Sequence, residues 1–459
     1  MIGRRVPRLR YARRTSGLGK QAGATERNGV EMNDLNATHA FAQWTGNREV
    51  LSLGTNDGHA PIAFQRWHKF KEAFAPELVA KAVGASTTTP SRVYDPFGGS
   101  GTTALACQML GIPSTTAEVN PFLHDVIRAK TARYDVDATA AALAHVRRQA
   151  LRRPVRASEY LASLPATFLP PGRGGRWLFD EGIADALASI LKAIEEIHDD
   201  NVSRLFRTLL GGILVDVSNV TINGKGRRYR RGVRFGERSA AEVHEHFGLR
   251  AGAALQDIIA FSDRPMVEAT VMLGDARALE PPDEISLSVF SPPYPNSFDY
   301  TDVYNLELWM LEYLRTSSDN QGLRRSTLSS HVQISRTFPS PPEGSPSLTQ
   351  ALEELANHAK SLWSPWLPSM LGGYFADLLL VLGRIQARLA PRGQVWLVVG
   401  DSRYAGVSVP VASILCELAT TSGWHVLRAD PIRHMRSSAQ QGGHKELPES
   451  LLVLESSVG

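Results

Sequence analysis

The chain has 459 residues, of which 43% are hydrophobic and 21% charged, with a net charge of +4 and a pI near 9.0. This length holds a large α/β core and a second lobe, and no apolar run approaches the roughly 18 residues that a membrane span needs. No His/Cys cluster has metal-ligand spacing, so no metal is predicted, and Cys107 and Cys416 in apolar segments favour a reducing compartment.

Residues 1–60 are predicted to be a basic, disordered tail. Six arginines fall within the first 14 residues, and large apolar residues are few. The arginine-rich, acid-poor start also has the composition of a transit peptide. A short helix beginning near Pro76 then leads into the first predicted strand.

A glycine-rich turn follows that strand. It reads Asp95-Pro96-Phe97-Gly98-Gly99-Ser100-Gly101-Thr102-Thr103. Glycines here let a ligand approach the backbone, and three ligands compete. A triphosphate loop would need a lysine that the turn lacks, and the dinucleotide fingerprint that starts at Gly99 is weak by itself. Asp95 would repel phosphate and attract an ammonium group, which favours S-adenosylmethionine, a ligand with an amine, a ribose and no phosphate.

Two further predicted strands end in acids. Glu118, followed by Asn120, is placed to accept hydrogen bonds from both ribose hydroxyls. Asp275, followed by Ala276, is placed to accept from the adenine amine. A single acid of this kind is more often a solvated turn residue, but three acids at three strand ends favour one shared site.

Between these strands, residues 135–265 show helical apolar spacing and predict an inserted helical lobe. Its most basic stretch is rich in Asn and Gly, which predicts a loop or hairpin. The cations expected to contact phosphates are Lys225, Arg227, Arg228, Arg230 and Arg231. The alternative for such a charge run is a solvated surface loop.

The tetrapeptide Ser291-Pro292-Pro293-Tyr294 follows an apolar run that predicts a buried strand. Two consecutive prolines cannot continue the strand because neither donates a backbone N–H. The Ser hydroxyl, the first Pro carbonyl and the Tyr ring are therefore exposed at the strand's carboxyl end, where ligands bind in α/β sheets. Two acceptors beside an aromatic ring suit a nucleobase with an exocyclic amine. The alternative is a Pro-Pro turn before a core tyrosine.

The rest of the chain predicts a long loop and the remainder of the sheet. Residues 316–348 are rich in Ser and Pro and predict an irregular loop. Helices then alternate with strands, of which the last two are expected at 424–428 and 451–454. This alternation predicts a largely parallel sheet covered on both faces.

The two motifs together resemble those of the amino-directed DNA methyltransferases, which methylate the exocyclic nitrogen of cytosine or adenine. The turn that starts at Asp95 is similar to their cofactor motif, and Ser291-Pro292-Pro293-Tyr294 is similar to their catalytic motif. Residues 296–305 and 399–402 are also similar, so the resemblance spans roughly residues 60–457. Many enzymes with Ser-Pro-Pro-Tyr place this motif first, whereas here the cofactor motif precedes it by about 190 residues.

The resemblance implies an α/β, Rossmann-like methyltransferase sheet with S-adenosyl-L-methionine as cofactor. The first half of the catalytic domain is expected at 61–134 and the second at 266–457, and the lobe at 135–265 is expected to recognise the DNA target. Phe74 is expected to close over the methionine end of the cofactor. The implied cofactor site comprises Asp95, Pro96, Phe97, Gly99, Gly101, Thr102, Thr103, Glu118, Asn120, Asp275, Ala276 and Phe74.

The implied activity is site-specific methylation of cytosine N4 in double-stranded DNA, because Ser at the first motif position is most typical of cytosine-N4 enzymes. Adenine-N6 methylation is the alternative, and RNA amino-methylation is a further one. A cognate restriction endonuclease is a candidate partner. The expected location is the bacterial cytoplasm, in contact with the nucleoid through DNA.

Overall fold

The structure is a computed structural model that describes residues 39–56, 62–223, 226–436 and 446–457. Its strands are β1 Val93–Asp95, β2 Ser114–Glu118, β3 Val220–Asn223, β4 Gly226–Tyr229, β5 Ala269–Leu273, β6 Ile285–Phe290, β7 Leu389–Gly400, β8 Ser402–Tyr404, β9 Val407–Val409, β10 Trp424–Arg436 and β11 Glu446–Ser456. Seven of them form one sheet in the order β10-β11-β7-β6-β1-β2-β5. β11 pairs antiparallel with β7 and β10, and the other pairings in this sheet are parallel.

The sheet has a hydrophobic cluster on each face. Trp396 and Val398 of β7 belong to one cluster, and Val395 and Leu397 belong to the other. This division follows from the period-two alternation of side chains along a strand. Strands buried on both faces read as nearly continuous apolar runs, which is why β6 and β7 were evident from the sequence.

Helices cover the two faces. Their bounds are Pro76–Ala85, Thr102–Met109, Pro121–Thr131, Val136–Arg152, Ala157–Tyr160, Glu181–Ile194, Asp200–Val217, Ala240–Ala260, Tyr300–Val303, Asn305–Met310, Ser317–Arg325, Pro346–Asn357, Leu367–Gln386 and Val411–Thr421, with 3₁₀ turns at Gln65–Trp67 and Ala359–Ser361. Prolines stand in the first turns of the helices that begin at Pro76, Pro121 and Pro346, where no intrahelical N–H is needed.

The strand order reverses at β1. From β1 the chain continues outward through β2 and β5, and it then returns to β6 on the other side. The carboxyl ends of β1 and β6 therefore diverge into a crevice, the position at which α/β sheets bind ligands. The predicted α/β, Rossmann-like sheet is confirmed.

Between β2 and β5 the chain is mostly helical, and the helical lobe expected at 135–265 falls within this part. The rings of Phe206 and Phe247 join two of its helices, with their centroids 6.3 Å apart. The buried side chains of the lobe are continuous with those around Trp67 and Phe122. The lobe and one face of the sheet therefore share a single hydrophobic core.

The structure differs from the expected tail at 1–60. Residues 39–45 are helical, and Phe41 and Trp44 are buried in the core. The indole N–H of Trp44 donates to the Ala63 carbonyl at 2.9 Å. The burial of these two aromatic side chains is enough to hold the short segment against the core. Two residues are too few to show a hydrophobic periodicity in the sequence, so the helix was not predicted. Residues 1–38 and 57–61 lie outside the described part of the chain.

Two later predictions also need correction. The expected loop at 316–348 contains the helix Ser317–Arg325. A capping box formed by Thr316 and Asp319 stabilises the start of this helix. Strands β10 and β11 are 13 and 11 residues long and extend well beyond the apolar stretches expected at 424–428 and 451–454. Cross-strand pairing continues through their polar residues, so the hydrophobic pattern underestimates their length.

Candidate active site

A cavity of about 350 Å³ opens at the carboxyl ends of the central strands. All four residues of Ser291-Pro292-Pro293-Tyr294 border it. So do nine of the twelve residues expected to bind the cofactor, namely Pro96, Phe97, Gly99, Thr102, Glu118, Asn120, Asp275, Ala276 and Phe74. Asp95, Gly101 and Thr103 are not among the residues that line the cavity.

The glycine-rich turn depends on two left-handed backbone positions. Gly99 and Gly101 have φ angles of +52° and +81°, which L side chains rarely adopt. A Cβ atom at Gly99 would also lie 2.9 Å from the ring of Phe70. The backbone of the turn is therefore exposed to the cavity at Gly99, and any side chain there would displace its neighbour.

Asp95 stabilises this turn from within. Its Oδ1 accepts from the Phe97 backbone N–H at 2.9 Å, while the nearby Thr103 hydroxyl donates to the Val289 carbonyl at 3.2 Å. Burial raises the pKa of Asp95 to about 7, although the Phe97 hydrogen bond favours the ionised form. In the structure Asp95 holds the turn in shape, and the cofactor contact expected of it stays a prediction.

Glu118 ties the turn to the next strand end. Its Oε2 accepts from the Gly99 N–H at 2.7 Å and its Oε1 from the Asn120 N–H at 2.8 Å. Burial raises the pKa of Glu118 to about 7. Each carboxylate oxygen has a second lone pair for a ligand hydroxyl. Asn120 borders the cavity but its side chain caps the helix Pro121–Thr131.

Asp275 is engaged by a cation that the sequence analysis missed. Arg277 donates to it through Nε at 3.0 Å and through Nη2 at 2.6 Å, and it also reaches Asp377 through Nη1 at 2.9 Å. This forked pair holds the Asp275 carboxylate at the cavity edge. The Asp-x-Arg spacing was the only sequence signal for the pair.

The Ser291-Pro292-Pro293-Tyr294 motif is fixed by contacts across the sheet. The Ser291 hydroxyl donates to the Val398 carbonyl at 3.0 Å, and the Tyr294 phenol donates to Glu449 Oε1 at 2.7 Å. Burial and the nearby Glu449 carboxylate raise the pKa of Tyr294 well above its ordinary value, so the phenol stays protonated. The Tyr294 ring lies at the end of β7, over Gly400.

An aromatic wall that the sequence analysis did not identify forms another side of the cavity. The rings of Phe70 and Tyr304 are stacked with centroids 5.6 Å apart and planes 6° from parallel. The Tyr304 phenol donates to Glu72 Oε2 at 3.0 Å, and burial raises the pKa of Glu72. The two rings are 234 positions apart in sequence, so no local pattern could pair them.

The basic stretch forms the hairpin of β3 and β4 beside the cavity. Arg227 pairs with Asp302 at 3.4 Å, next to the cavity-lining Thr301. Arg228 and Arg231 are exposed to solvent. Arg230 instead donates to the carbonyls of residues 215, 216 and 218, so its guanidinium caps the end of the helix Asp200–Val217. Lys225 lies outside the described residues.

No group of three or more His, Cys, Asp or Glu side chains among the described residues has the arrangement of a metal site. None of the helices in the described ranges is both long enough and apolar enough to cross a bilayer.

Comparison with known proteins gives relatives that match most of the chain. M.AvaI from Nostoc sp. is 25% identical over 440 residues, which cover 87% of this chain and 86% of the relative. M.BsoBI from Geobacillus stearothermophilus is 22% identical over 475 residues, which cover 90% and 88%. Both are named type II methyltransferases. This chain is similar to type II methyltransferases. No family model matches it.

Solved structures of methyltransferases overlap with the fold only distantly. TrmN from Thermus thermophilus is 13% identical with a TM-score of 0.29, and the overlap covers 86% of this chain and 52% of TrmN. The rRNA methyltransferase aviRa from Streptomyces viridochromogenes is 10% identical with a TM-score of 0.28, and the overlap covers 90% and 92%. The chain thus spans about half the length of TrmN.

Proposed function

We propose that the chain is a site-specific DNA methyltransferase that methylates the exocyclic N4 of a cytosine flipped out of the duplex, with S-adenosyl-L-methionine as methyl donor. One observation carries this proposal: the glycine-rich turn and the Ser-Pro-Pro-Tyr motif border the same cavity. A cofactor held by the first motif and a base held by the second would therefore lie next to each other. The relatives named type II methyltransferases support the same activity.

The residues around the turn suit this cofactor. When bound, S-adenosyl-L-methionine supplies a methyl group on a positively charged sulfur. Glu118 is placed to accept from ribose hydroxyls, and Phe74, Phe97 and Ala276 supply apolar walls for the rest of the ligand. The turn contains no lysine or arginine, which fits a ligand without phosphate. Asp275, already held by Arg277, is placed to accept from an amine at the cavity edge.

The catalytic motif suits a flipped base. Flipping costs a few kcal/mol, and stacking on Tyr294 would return roughly 1–3 kcal/mol. The proton of the Ser291 hydroxyl is engaged by the Val398 carbonyl, so the oxygen presents its lone pairs to an amino group. With the Pro292 carbonyl as a second acceptor, the amino nitrogen is oriented with its lone pair towards the methyl group. The amino proton leaves to solvent, and positioning accounts for most of the catalysis.

Double-stranded DNA is the proposed substrate and partner. Arg228 and Arg231 are exposed and, with Lys225 and Arg227, are proposed to neutralise phosphates. The lobe at 135–265 is proposed to read the target sequence. A restriction endonuclease of the same specificity is the expected companion, and the bacterial cytoplasm, at the nucleoid, is the expected location.

The decisive assay incubates the protein with methyl-labelled S-adenosyl-L-methionine and either unmethylated genomic DNA or total RNA. We expect label in DNA alone, and digestion of that DNA to nucleosides should place the label on N4-methylcytosine. Label on N6-methyladenine would show that the target base is adenine and not cytosine. Label confined to RNA, or no transfer to either nucleic acid, would contradict the proposed function.

A further inference from the structure

A buried carboxylate holds the ring of the catalytic motif. Glu449 lies on β11, has 1% of its surface exposed and accepts from the Tyr294 phenol at 2.7 Å. It also borders the cavity. Tyr294 and Glu449 are separated by 155 positions, so only the assembled sheet brings them together.

Arg433 on the neighbouring strand β10 completes this network. It donates through Nε to Glu449 Oε2 and through Nη2 to Glu449 Oε1, the latter at 3.0 Å. Both carboxylate oxygens are therefore occupied by the same guanidinium, a strong and geometrically specific pairing. The Arg433 side chain is 31% exposed and also borders the cavity.

Two glycines leave room for the network. A Cβ atom at Gly400 would lie 2.7 Å from Cε2 of Tyr294, so the ring packs directly on the backbone of β7. A Cβ atom at Gly54 would lie 1.8 Å from Glu449 Oε2. The chain thus has no side chain at either position where one would push the ring or the carboxylate aside.

We infer that Glu449 is a positioning residue for methyl transfer, which orients the Tyr294 ring for stacking on the target base and is itself oriented by Arg433. This inference rests on the proposed function. It follows from the direction of the contacts: Glu449 bonds the phenol, which is the end of Tyr294 that the base does not need for stacking. Without that bond the ring can rotate about its side-chain torsions, and a misplacement of about 1 Å can cost on the order of 100-fold in rate.

A purely structural role for the pair is the competing explanation, because a buried ion pair often contributes to packing alone. The two explanations differ in how substitutions combine. If Glu449 acts through the Tyr294 phenol, removing the phenol first should leave Glu449 with nothing to position. If Glu449 only stabilises the fold, its effect should be independent of the phenol.

The experiment is a double-mutant cycle on the full chain with Glu449→Asp, Tyr294→Phe and the combination of both. The aspartate keeps the negative charge beside Arg433 but is one methylene shorter, so its contact with the phenol is lost with little risk to folding. Glu455→Gln on the same strand is the matched control, since Glu455 contacts Gln394 away from the cavity. The measurements are kcat with saturating unmethylated genomic DNA, the Kd for S-adenosyl-L-methionine, and the melting temperature.

We expect Glu449→Asp and Tyr294→Phe each to lower kcat by about 10- to 100-fold, with the cofactor Kd within about twofold of the unaltered chain. The double variant should be no more than about threefold slower than the slower single variant, and Glu455→Gln should match the unaltered chain. Wild-type kcat in Glu449→Asp, or effects that multiply in the double variant, would overturn the inference alone. Absence of DNA methylation by the unaltered chain would overturn the inference together with the proposed function.

Discussion

The two sides of the cavity are held in place by different kinds of contact. On the proposed cofactor side, carboxylates accept hydrogen bonds from backbone N–H groups no more than 19 positions away, as Asp95 does from Phe97 and Glu118 from Gly99. On the proposed catalytic side, side chains reach across the sheet: Ser291 bonds a carbonyl 107 positions away, and Tyr294 bonds Glu449 across 155 positions.

The two sides can therefore fail separately. The glycine-rich turn on the cofactor side is built within one strand–turn–helix unit and its neighbour, whereas Asp275 on that side is held by Arg277, which also bonds Asp377 100 positions away. The catalytic side requires β7, β10 and β11 to be paired with the correct register. Substitutions on one side should therefore change cofactor affinity or turnover, but not both.

The largest effect is expected on the catalytic side. Tyr294→Ala removes the ring on which the base stacks, a contribution of roughly 1–3 kcal/mol, and also the phenol bonded to Glu449. We expect kcat on unmethylated DNA to fall at least about 100-fold, while calorimetry gives a Kd for S-adenosyl-L-methionine within about twofold of the unaltered chain. Comparable losses of affinity and turnover would show that the two sides are not separable.

The matching substitution on the cofactor side is Glu118→Gln. One of the two backbone N–H groups, of Gly99 or Asn120, would then face an amide donor, and the ribose hydroxyls would lose a charged acceptor. Hydrogen bonds to charged groups contribute about 1.5–3 kcal/mol, so we expect the cofactor Kd to rise about 10- to 100-fold. Turnover at saturating cofactor should stay within about threefold, and a large fall in turnover would show that the two sides of the cavity are not independent.

The pH dependence of cofactor binding should be set by Glu118, on the same side of the cavity. Burial raises the pKa of Glu118 to about 7, so the carboxyl is protonated below pH 7 and ionised above it. Ligand hydroxyls favour the ionised form, and affinity should therefore rise with pH. We expect the Kd at pH 6 to exceed that at pH 8 by about tenfold, and this ratio should shrink in Glu118→Gln. A ratio that is the same in both proteins would assign the titration to another group.

The smallest effects concern the basic hairpin, where neighbouring arginines should behave differently. Arg231→Gln removes an exposed cation and should lower the slope of log affinity for DNA against log salt by about 0.9. Arg230→Gln removes bonds to three carbonyls at a helix end, so it should lower the melting temperature and leave that slope unchanged. Equal slope changes in the two variants would contradict the assignment of Arg230 to the helix end.

The same contrast explains how much the sequence could predict. The glycine-rich turn, Glu118 and the catalytic tetrapeptide were found because strand ends, glycines and prolines leave local signals. The stack of Phe70 on Tyr304 and the bond from Tyr294 to Glu449 were missed because they form only when distant segments meet. Arg230 was predicted to contact phosphates like its neighbours, because a run of arginines does not show which guanidinium faces a helix end.

Modified nucleosides measured in living cells would show whether one cavity holds both the cofactor and the target base. Genomic DNA would be taken from a host that lacks this activity and expresses either the unaltered chain or Tyr294→Ala at equal levels. Mass spectrometry of the digested DNA should detect N4-methylcytosine with the unaltered chain and at most about 1% of that amount with the variant. Undiminished N4-methylcytosine in the Tyr294→Ala cells would contradict this account of the site.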